Sequence, residues 1–176
     1  MNNQQTSRRT SKLLAMLLAI SSFTSATSYS LEADTEQELV YTADGPVRMS
    51  IEGEIRLVEM SDNVIITRGT MEIRGNSATI EFIVSSGEIS NVTVVGAPVH
   101  YRQQLDSSDE PVNGSSNSIS FYTDPGDDSS IIELVGDAVI ESPSANFKCS
   151  EIIYIAEQDL IRDTVGPCSG VFNTSN

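Results

Sequence analysis

After Glu32 the chain is a succession of short apolar runs separated by turn-forming residues. The runs are rich in β-branched and aromatic side chains. Gly, Asn, Asp, Ser or Pro separates them at about the 8- to 12-residue spacing of sandwiches, barrels and β-solenoids. They are residues 64–67, 70–73, 78–84, 92–95, 99–101, 119–122, 131–135, 139–140 and 152–155. No convincing amphipathic helix follows the first 30 residues, so the pattern predicts an all-β fold of many short antiparallel strands.

Alternation within the runs predicts which side of each strand is covered. Three groups of apolar residues each share one face of their strand: Ala78, Ile80, Phe82 and Val84; Val99 and Tyr101; Ile119 and Phe121. An apolar sheet face must be covered, either by a second sheet or by a ligand. The pattern is compatible with both.

A weak internal repeat relates two parts of this pattern. A segment similar to residues 62–65 occurs 75 positions later, and residues similar to Ile73, Ala78 and Ile80 occur 74 positions later. One residue lost in a turn would explain the change of offset. Two copies of one supersecondary unit indicate an elongated, quasi-repetitive sheet stack, although similar composition of the β-rich segments would also produce such echoes.

The first 30 residues have the three parts of a cleaved secretory signal peptide. Three cations precede an apolar stretch at residues 13–20, and small residues crowd the segment that follows. That stretch is shorter than the roughly 20 residues of a membrane-spanning helix. The adjacent pair of Arg residues also allows a twin-arginine signal, but bulky apolar residues do not follow the pair. We expect cleavage between Ala26 and Ser30, which leaves a single domain at residues 31–176.

The charge balance disfavours one class of partner. The chain has 25 acidic and 10 basic residues, a formal charge of −15, and loss of the three cations of the signal would leave −18. Such a surface repels nucleic acid and anionic membrane surfaces. We therefore expect no nucleic-acid partner, and we interpret the acidity as that of a solvated surface.

Cys149 and Cys168 are the only cysteines of the chain. An oxidising compartment would allow them to pair. If Gln158-Asp159 forms a two-residue hairpin loop, the two cysteines face each other across the hairpin. Two free thiols are the alternative, because this register is an assumption and Gly166-Pro167 lies next to Cys168.

The sequence shows no constellation typical of an enzyme. The single histidine, His100, has no nucleophile-elbow sequence around it, and His and Cys are too few for a zinc site. No glycine-rich phosphate loop is present. Residues 124–128 contain three Asp but lack the spacing and distal Glu of a calcium loop. We interpret them as an acidic turn, and residues 106–111 as a polar loop, and expect no catalysis, metal or cofactor.

Three motifs occur in a characteristic order along the chain. They are residues 62–73 (DNVIITRGTMEI) with 78–80, residues 96–101 (GAPVHY), and residues 136–139 (GDAV) with 152–154. Their pattern resembles that of the LptA family of lipopolysaccharide-transport proteins, also called the OstA-like family. Residues 34–37 and Leu39 stand where mature members of this family begin. The resemblance covers about residues 34–165, which is nearly all of the chain beyond the signal.

The resemblance implies a fold and a function. The expected fold is an open, twisted antiparallel β-jellyroll with V-shaped strands and no significant helix, in the periplasm of a Gram-negative cell. Members of the family shelter the lipid A acyl chains of lipopolysaccharide in the apolar interior. They stack end to end, with one another and with LptC-type jellyrolls at the inner membrane and LptD-type jellyrolls at the outer membrane. The resemblance therefore implies a carrier that serves outer-membrane assembly and not an enzyme.

Twelve residues are candidates for contact with lipid. Leu39, Tyr101 and Phe121 match lining positions of the family, and alternation adds Ile66, Ile73, Ile80, Phe82, Val94, Ile132, Leu134, Phe147 and Ile153. Each is equally consistent with an ordinary core position, because core and groove are one surface in an open jellyroll. A bridge between Cys149 and Cys168 would fasten the C-terminal strands that meet the next jellyroll.

Three alternatives remain open from the sequence. A membrane-anchored sister jellyroll of the LptC type would keep a longer apolar span near its N-terminus. A structural β-solenoid or adhesin-like protein would have a dry core and no lipid ligand. A small hydrolase would depend on His100. Strand patterning alone does not separate the carrier from the solenoid.

Overall fold

The computed structural model describes Asp34, residues 37–105 and residues 108–173. The predicted signal peptide and its cleavage site lie outside these residues. Strands make up most of the described chain; Asp34 is helical, and a short 3₁₀ helix spans Ala156–Gln158. Within the described ranges, no helix is long and apolar enough to span a membrane.

The strands form one open antiparallel sheet. They are β1 (Leu39–Thr42), β2 (Val47–Glu52), β3 (Ile55–Arg68), β4 (Met71–Ile83), β5 (Ile89–Gln104), β6 (Pro111–Thr123), β7 (Ser130–Glu141), β8 (Ala145–Ile155), β9 (Leu160–Val165) and β10 (Ser169–Phe172). The meander β3 to β8 is flanked by β1 and β2, which both pair with β3, and by β9 and β10, which both pair with β8. The prediction of an open antiparallel all-β fold is confirmed.

The long strands bend near their middles. The pairing register shifts between Ser61 and Val64, between Arg74 and Ser77, between Val95 and Val99, between Ser115 and Ser118, and between Val135 and Ala138. Asp62, Asn63, Gly136 and Asp137 have positive φ angles there, a conformation that Gly, Asn and Asp adopt most readily. Extra residues at such bulges bend a strand.

The bends divide the sheet into two arms. Arm A comprises residues 47–61, 77–95, 118–135 and 151–165, and arm B comprises residues 39–42, 64–75, 99–104, 111–116, 138–149 and 169–172. The sequence predicted separate short strands with turns at several of these positions. The turn-forming residues instead bend continuous strands, because the same left-handed backbone conformation serves a tight turn and a bulge.

The two arms pack against each other across one apolar interior. Val58 and Met60 of arm A belong to the same buried cluster as Val64 and Ile66 of arm B. At Gly114 in arm B, a Cβ would lie 3.0 Å from Leu134 Cδ2 in arm A. The strands therefore describe a V whose inner surface is the core.

The internal repeat corresponds to a repeated β-hairpin. Residues of β3–β4 and β7–β8 that face the interior correspond as Val64 and Ala138, Ile66 and Ile140, Ile73 and Phe147, Ala78 and Ile152, and Ile80 and Tyr154. The offset is 74 throughout, whereas the sequence comparison placed the first segment at 75. Loss of a residue in a turn is therefore not needed.

A disulfide joins Cys149 to Cys168, with their Cα atoms 4.2 Å apart. The β8–β9 connection has four residues, 156–159, instead of the two assumed from the sequence. Tyr154 consequently pairs with Ile161, two positions from the assumed register. Further register shifts occur along β9 and in the turn after it. They bring β10 back to the register that was assumed from the sequence, in which Ser169 pairs with Lys148.

Candidate functional site

Eleven of the twelve candidate lipid-contact residues face the interior of the V. Eight are buried: Ile66, Ile73, Ile80, Val94, Tyr101, Phe121, Ile132 and Leu134. Three are partly buried against the same cluster: Leu39, Phe82 and Phe147. The structure thus brings these positions, from both arms, onto one continuous apolar surface.

Ile153 is the exception and lies on the outer face of arm A. Its cross-strand partners are Glu133 and Asp163, whereas the adjacent Ile152 and Tyr154 belong to the interior cluster. The bend of β8 shifts the alternation, so that odd-numbered residues face inward before it and even-numbered residues after it. Its assignment to the lining is therefore corrected.

The apolar interior reaches solvent at the N-terminal end of the sheet. Met49 pairs with the buried Val58, so the apolar side chains of β2 continue the inner surface of arm A. Met49 is 70% and Ile51 64% exposed. On arm B, Tyr41 pairs with the buried Ile66. β1 and β2 are not among the strands predicted from the sequence, although Val47, Met49 and Ile51 alternate with polar residues.

The C-terminal end is open as well and contains a cavity of about 360 Å³, a size within the usual range of ligand sites. Its apolar wall consists of Ala145, Phe147, Tyr154, Leu160, Ile161 and Phe172. Polar residues including Ser144, Arg162 and Thr164 also line it. The rings of Phe147 and Phe172 meet edge to face, 5.1 Å apart. We call this the C-terminal cavity.

Between the two ends the arms meet and leave little free volume. A cavity of about 10 Å³ lies at the open side of the V, which we call the lip, between Met71 and Gln103 of arm B and Phe121 and Ser130 of arm A. The guanidinium of Arg68, from arm B, lies 5.9 Å from the centre of the Phe121 ring. Burial lowers the pKa of Arg68, an effect that Asp34 opposes. The interior is closed in this structure.

Asp34 is the hub of a polar network at the lip. Its carboxylate accepts hydrogen bonds from the Thr70 N–H (2.8 Å), the Thr70 hydroxyl and the Gln103 Nε2 (3.0 Å). The Tyr101 hydroxyl in turn donates to Gln103 Oε1 (2.6 Å). The network ties Asp34 to the β3–β4 turn through Thr70 and to β5 through Gln103.

Replacing Asp34 with Ala is expected to lower the free energy of unfolding by about 1–3 kcal/mol, because the buried amide of Gln103 and the partly buried donors of Thr70 lose their acceptor. Urea unfolding followed by circular dichroism measures the change. Glu38, an exposed acid of the same segment, is the matched control, and Glu38→Ala should change the value by less than about 0.5 kcal/mol. Equal effects of the two variants would contradict the role of the network.

The buried phenol of Tyr101 is expected to make the free energy of unfolding fall at alkaline pH. Burial, together with Glu157 and Asp34, raises the pKa of its phenol above the ordinary 10.0. In the unfolded chain the phenol ionises above about pH 10, so the Tyr101 contribution is complete below that pH and declines by about 1.4 kcal/mol per pH unit above it. Urea unfolding between pH 9 and 11 measures this slope, and Tyr101→Phe should reduce it. An unchanged slope in that variant would contradict the assignment.

Comparison with known proteins identifies the family. Residues 31–159 match the profile described as LptA/(LptD N-terminal domain) LPS transport protein. The chain belongs to this family. Lipopolysaccharide export system protein LptA of Haemophilus influenzae is 27% identical over 148 residues, which are 84% of this chain and 81% of that protein.

A solved structure supports the fold of this LptA-family chain. LptH, described as the LptA homologous periplasmic component of the lipopolysaccharide transport device of Pseudomonas aeruginosa, superposes with a TM-score of 0.64 at 16% identity. The match covers 80% of this chain and 99% of that chain. The predicted LptA-type jellyroll is thereby confirmed.

The family motifs coincide with the strand bends of the LptA-type sheet. Asp62-Asn63, Gly96-Ala97-Pro98 and Gly136-Asp137 all fall where the register shifts. Sequence reasoning recognised the motifs through these residues. Their physical role is to turn each strand from one arm into the other and so to create the interior.

In the described part of the chain, no three His, Cys, Asp or Glu residues are placed to hold a metal ion. Residues 124–128 form the turn between β6 and β7, in which Asp124 accepts hydrogen bonds from the Gly126 N–H and from Arg162. These two bonds lower the pKa of Asp124. His100 is exposed on arm B, opposite Arg74 and Ser115.

Proposed function

We propose that this protein is a periplasmic carrier that takes the acyl chains of lipopolysaccharide between arms A and B and passes them along jellyrolls stacked at its two ends. The observation that carries the proposal is the apolar interior, which reaches solvent at both ends of the sheet. It occurs in a chain of a lipopolysaccharide-transport family.

The energy of binding comes from the acyl chains. Burial contributes about 0.8 kcal/mol for each methylene removed from water, so several chains bind strongly without any covalent step. The seven Lys and Arg residues that follow the signal stand against 25 acidic residues. Head-group phosphates therefore contribute less than the lipid tails, and the protein acts as a carrier and not as an enzyme.

Loading requires the arms to part at the lip. The interior has no room for an acyl chain while Leu134 of arm A packs near Gly114 of arm B. The bends form the closed side of the V, so they serve as a hinge line about which the lip opens. Energy for repeated transport comes from elsewhere, since apolar burial by itself only stores the lipid.

Stacking uses the two free edges of the sheet. Among the described strands, β1 and β2 at one end and β9 and β10 at the other are each paired on one side only. Such edges pair readily with strands of another chain. Exposed apolar residues adjoin both edges, including Met49 at one end and Phe172 at the other. Joining unlike ends extends the interior from copy to copy, and LptC-type and LptD-type jellyrolls would occupy the outermost positions.

Native mass spectrometry of residues 31–176 tests the proposal. We expect an adduct with hexa-acylated lipopolysaccharide and none with the same lipopolysaccharide after its acyl chains have been removed. Phe121→Asp should remove the adduct, and Val135→Asp, on the exposed outer face of β7, should retain it. Folded protein that binds neither form would favour a structural role with a dry core.

A further inference from the structure

We propose that the Cys149–Cys168 disulfide is a redox-sensitive clasp that holds β10 in place, so that its reduction opens the C-terminal cavity and weakens stacking at that end. The inference rests on the proposed function, because it concerns the regulation of the end that stacks. Four features of the structure support it.

The non-covalent hold on β10 is small. The strand has four residues, is exposed along its whole length and, among the strands that the structure describes, pairs with β8 alone; Phe172 is 74% exposed. Its far end is anchored by the edge-to-face contact of Phe172 with Phe147 and by Asn173, whose N–H donates to the Ser144 carbonyl (2.8 Å) and whose Nδ2 donates to the Ser142 (3.3 Å) and Pro143 (3.1 Å) carbonyls. Short edge strands with so little burial open readily.

β9 does not depend on the clasp in the same way. It follows β8 through a tight connection, pairs with residues 151–155 and packs Ile161 against the core. Beyond it, the Ser150 hydroxyl donates a hydrogen bond to the Gly166 carbonyl (3.0 Å). The disulfide comes next along the chain, directly before β10. Reduction is therefore expected to release β10 and to leave β9 and the interior in place.

Release of β10 removes two elements of the C-terminal end. Phe172 is part of the wall of the C-terminal cavity. β10 also provides the free edge of arm B, where another sheet would pair. Without β10, the edge strand of arm B is β8, whereas the edge strand of arm A is still β9. The two arms then end at different strands, so a partner sheet cannot pair with both edges in the same way.

The clasp is accessible to a reductant on one side. Cys168 is exposed, whereas Cys149 is buried. A dithiol attacks the Cys168 sulfur as the thiolate, and Cys149 leaves as a thiolate. The second thiol of the reductant then displaces Cys168, so the reductant ends as a disulfide and both cysteines gain a proton. Two electrons pass from the dithiol to the protein.

The test compares residues 31–176 in oxidised form, after reduction by dithiothreitol, and as the Cys149→Ala, Cys168→Ser double variant. Amide hydrogen exchange reports on β10, and sedimentation equilibrium measures self-association. We expect exchange of residues 169–172 to rise at least about tenfold on reduction, with residues 160–165 and the interior strands unchanged. The association constant should fall at least about tenfold. Dithiothreitol should have no effect on the double variant.

Unchanged exchange of residues 169–172, in protein shown by thiol titration to carry two free thiols, would overturn the clasp. Loss of protection throughout the sheet would also overturn it, since the disulfide would then support the whole fold. Failure of the oxidised protein to stack or to bind lipopolysaccharide would overturn the proposed function instead, because exchange of β10 reports on the clasp in a single protomer.

Discussion

Replacing Phe172 with Asp is expected to lower the end-to-end association constant about a hundredfold and to leave the protomer folded. Phe172 is 74% exposed at the C-terminal edge and lies against Phe147 at the mouth of the interior. A stacked partner would bury this ring, and buried aromatic anchors contribute about 2–4 kcal/mol each to interfaces. A carboxylate at this position would be buried without a counter-charge. Sedimentation equilibrium measures the association constant.

Val171 provides the matched control for this prediction. It precedes Phe172 on the same edge strand and is 63% exposed, but its side chain lies on the outer face of arm B. Val171→Asp adds the same charge to β10 outside the continuous apolar surface, so its effect should be less than about tenfold. Equal losses in the two variants would show that stacking does not use the interior face.

Truncating Leu134 to Ala is expected to lower the free energy of unfolding by about 2–5 kcal/mol, the cost of removing a buried leucine side chain and leaving a cavity. Leu134 is fully buried in arm A and lies near Gly114 of arm B. Urea unfolding measures the loss. Val135, the next residue of β7, is 42% exposed, and Val135→Ala should cost less than about 1 kcal/mol. Similar costs at both positions would contradict the closed interior.

The sequence predicts the composition of the interior better than the course of the strands. Alternation placed Ile80, Val94 and Leu134 correctly because each lies within a regular half-strand. It misplaced Ile153 because the bend in β8 changes which positions face inward. Gly, Asn and Asp mark such a position in the sequence, but the same residues make turns and bulges. Only pairing with a neighbouring strand decides between the two.

The ends of the molecule were the least predictable from sequence. Met49 and Ile51 lie on an edge strand whose side chains are all exposed, so their alternation with polar residues does not by itself show that they continue the apolar interior. The pairing of Cys149 with Cys168 depended on a register that fails beside the β8–β9 connection and is restored in β10. Compensating shifts of this kind have no signature in the sequence.

Photo-crosslinking at paired neighbouring positions tests the central claim most directly. A photoreactive amino acid would replace Val94 or Val95 on β5, and Leu134 or Val135 on β7, before exposure to lipopolysaccharide and light. In each pair the first residue is fully buried in the interior and the second is more than two-fifths exposed on the outer face. Crosslinks to lipopolysaccharide at Val94 and Leu134, and none at Val95 and Val135, are the predicted result. Crosslinks confined to the outer positions would contradict an interior that carries the lipid.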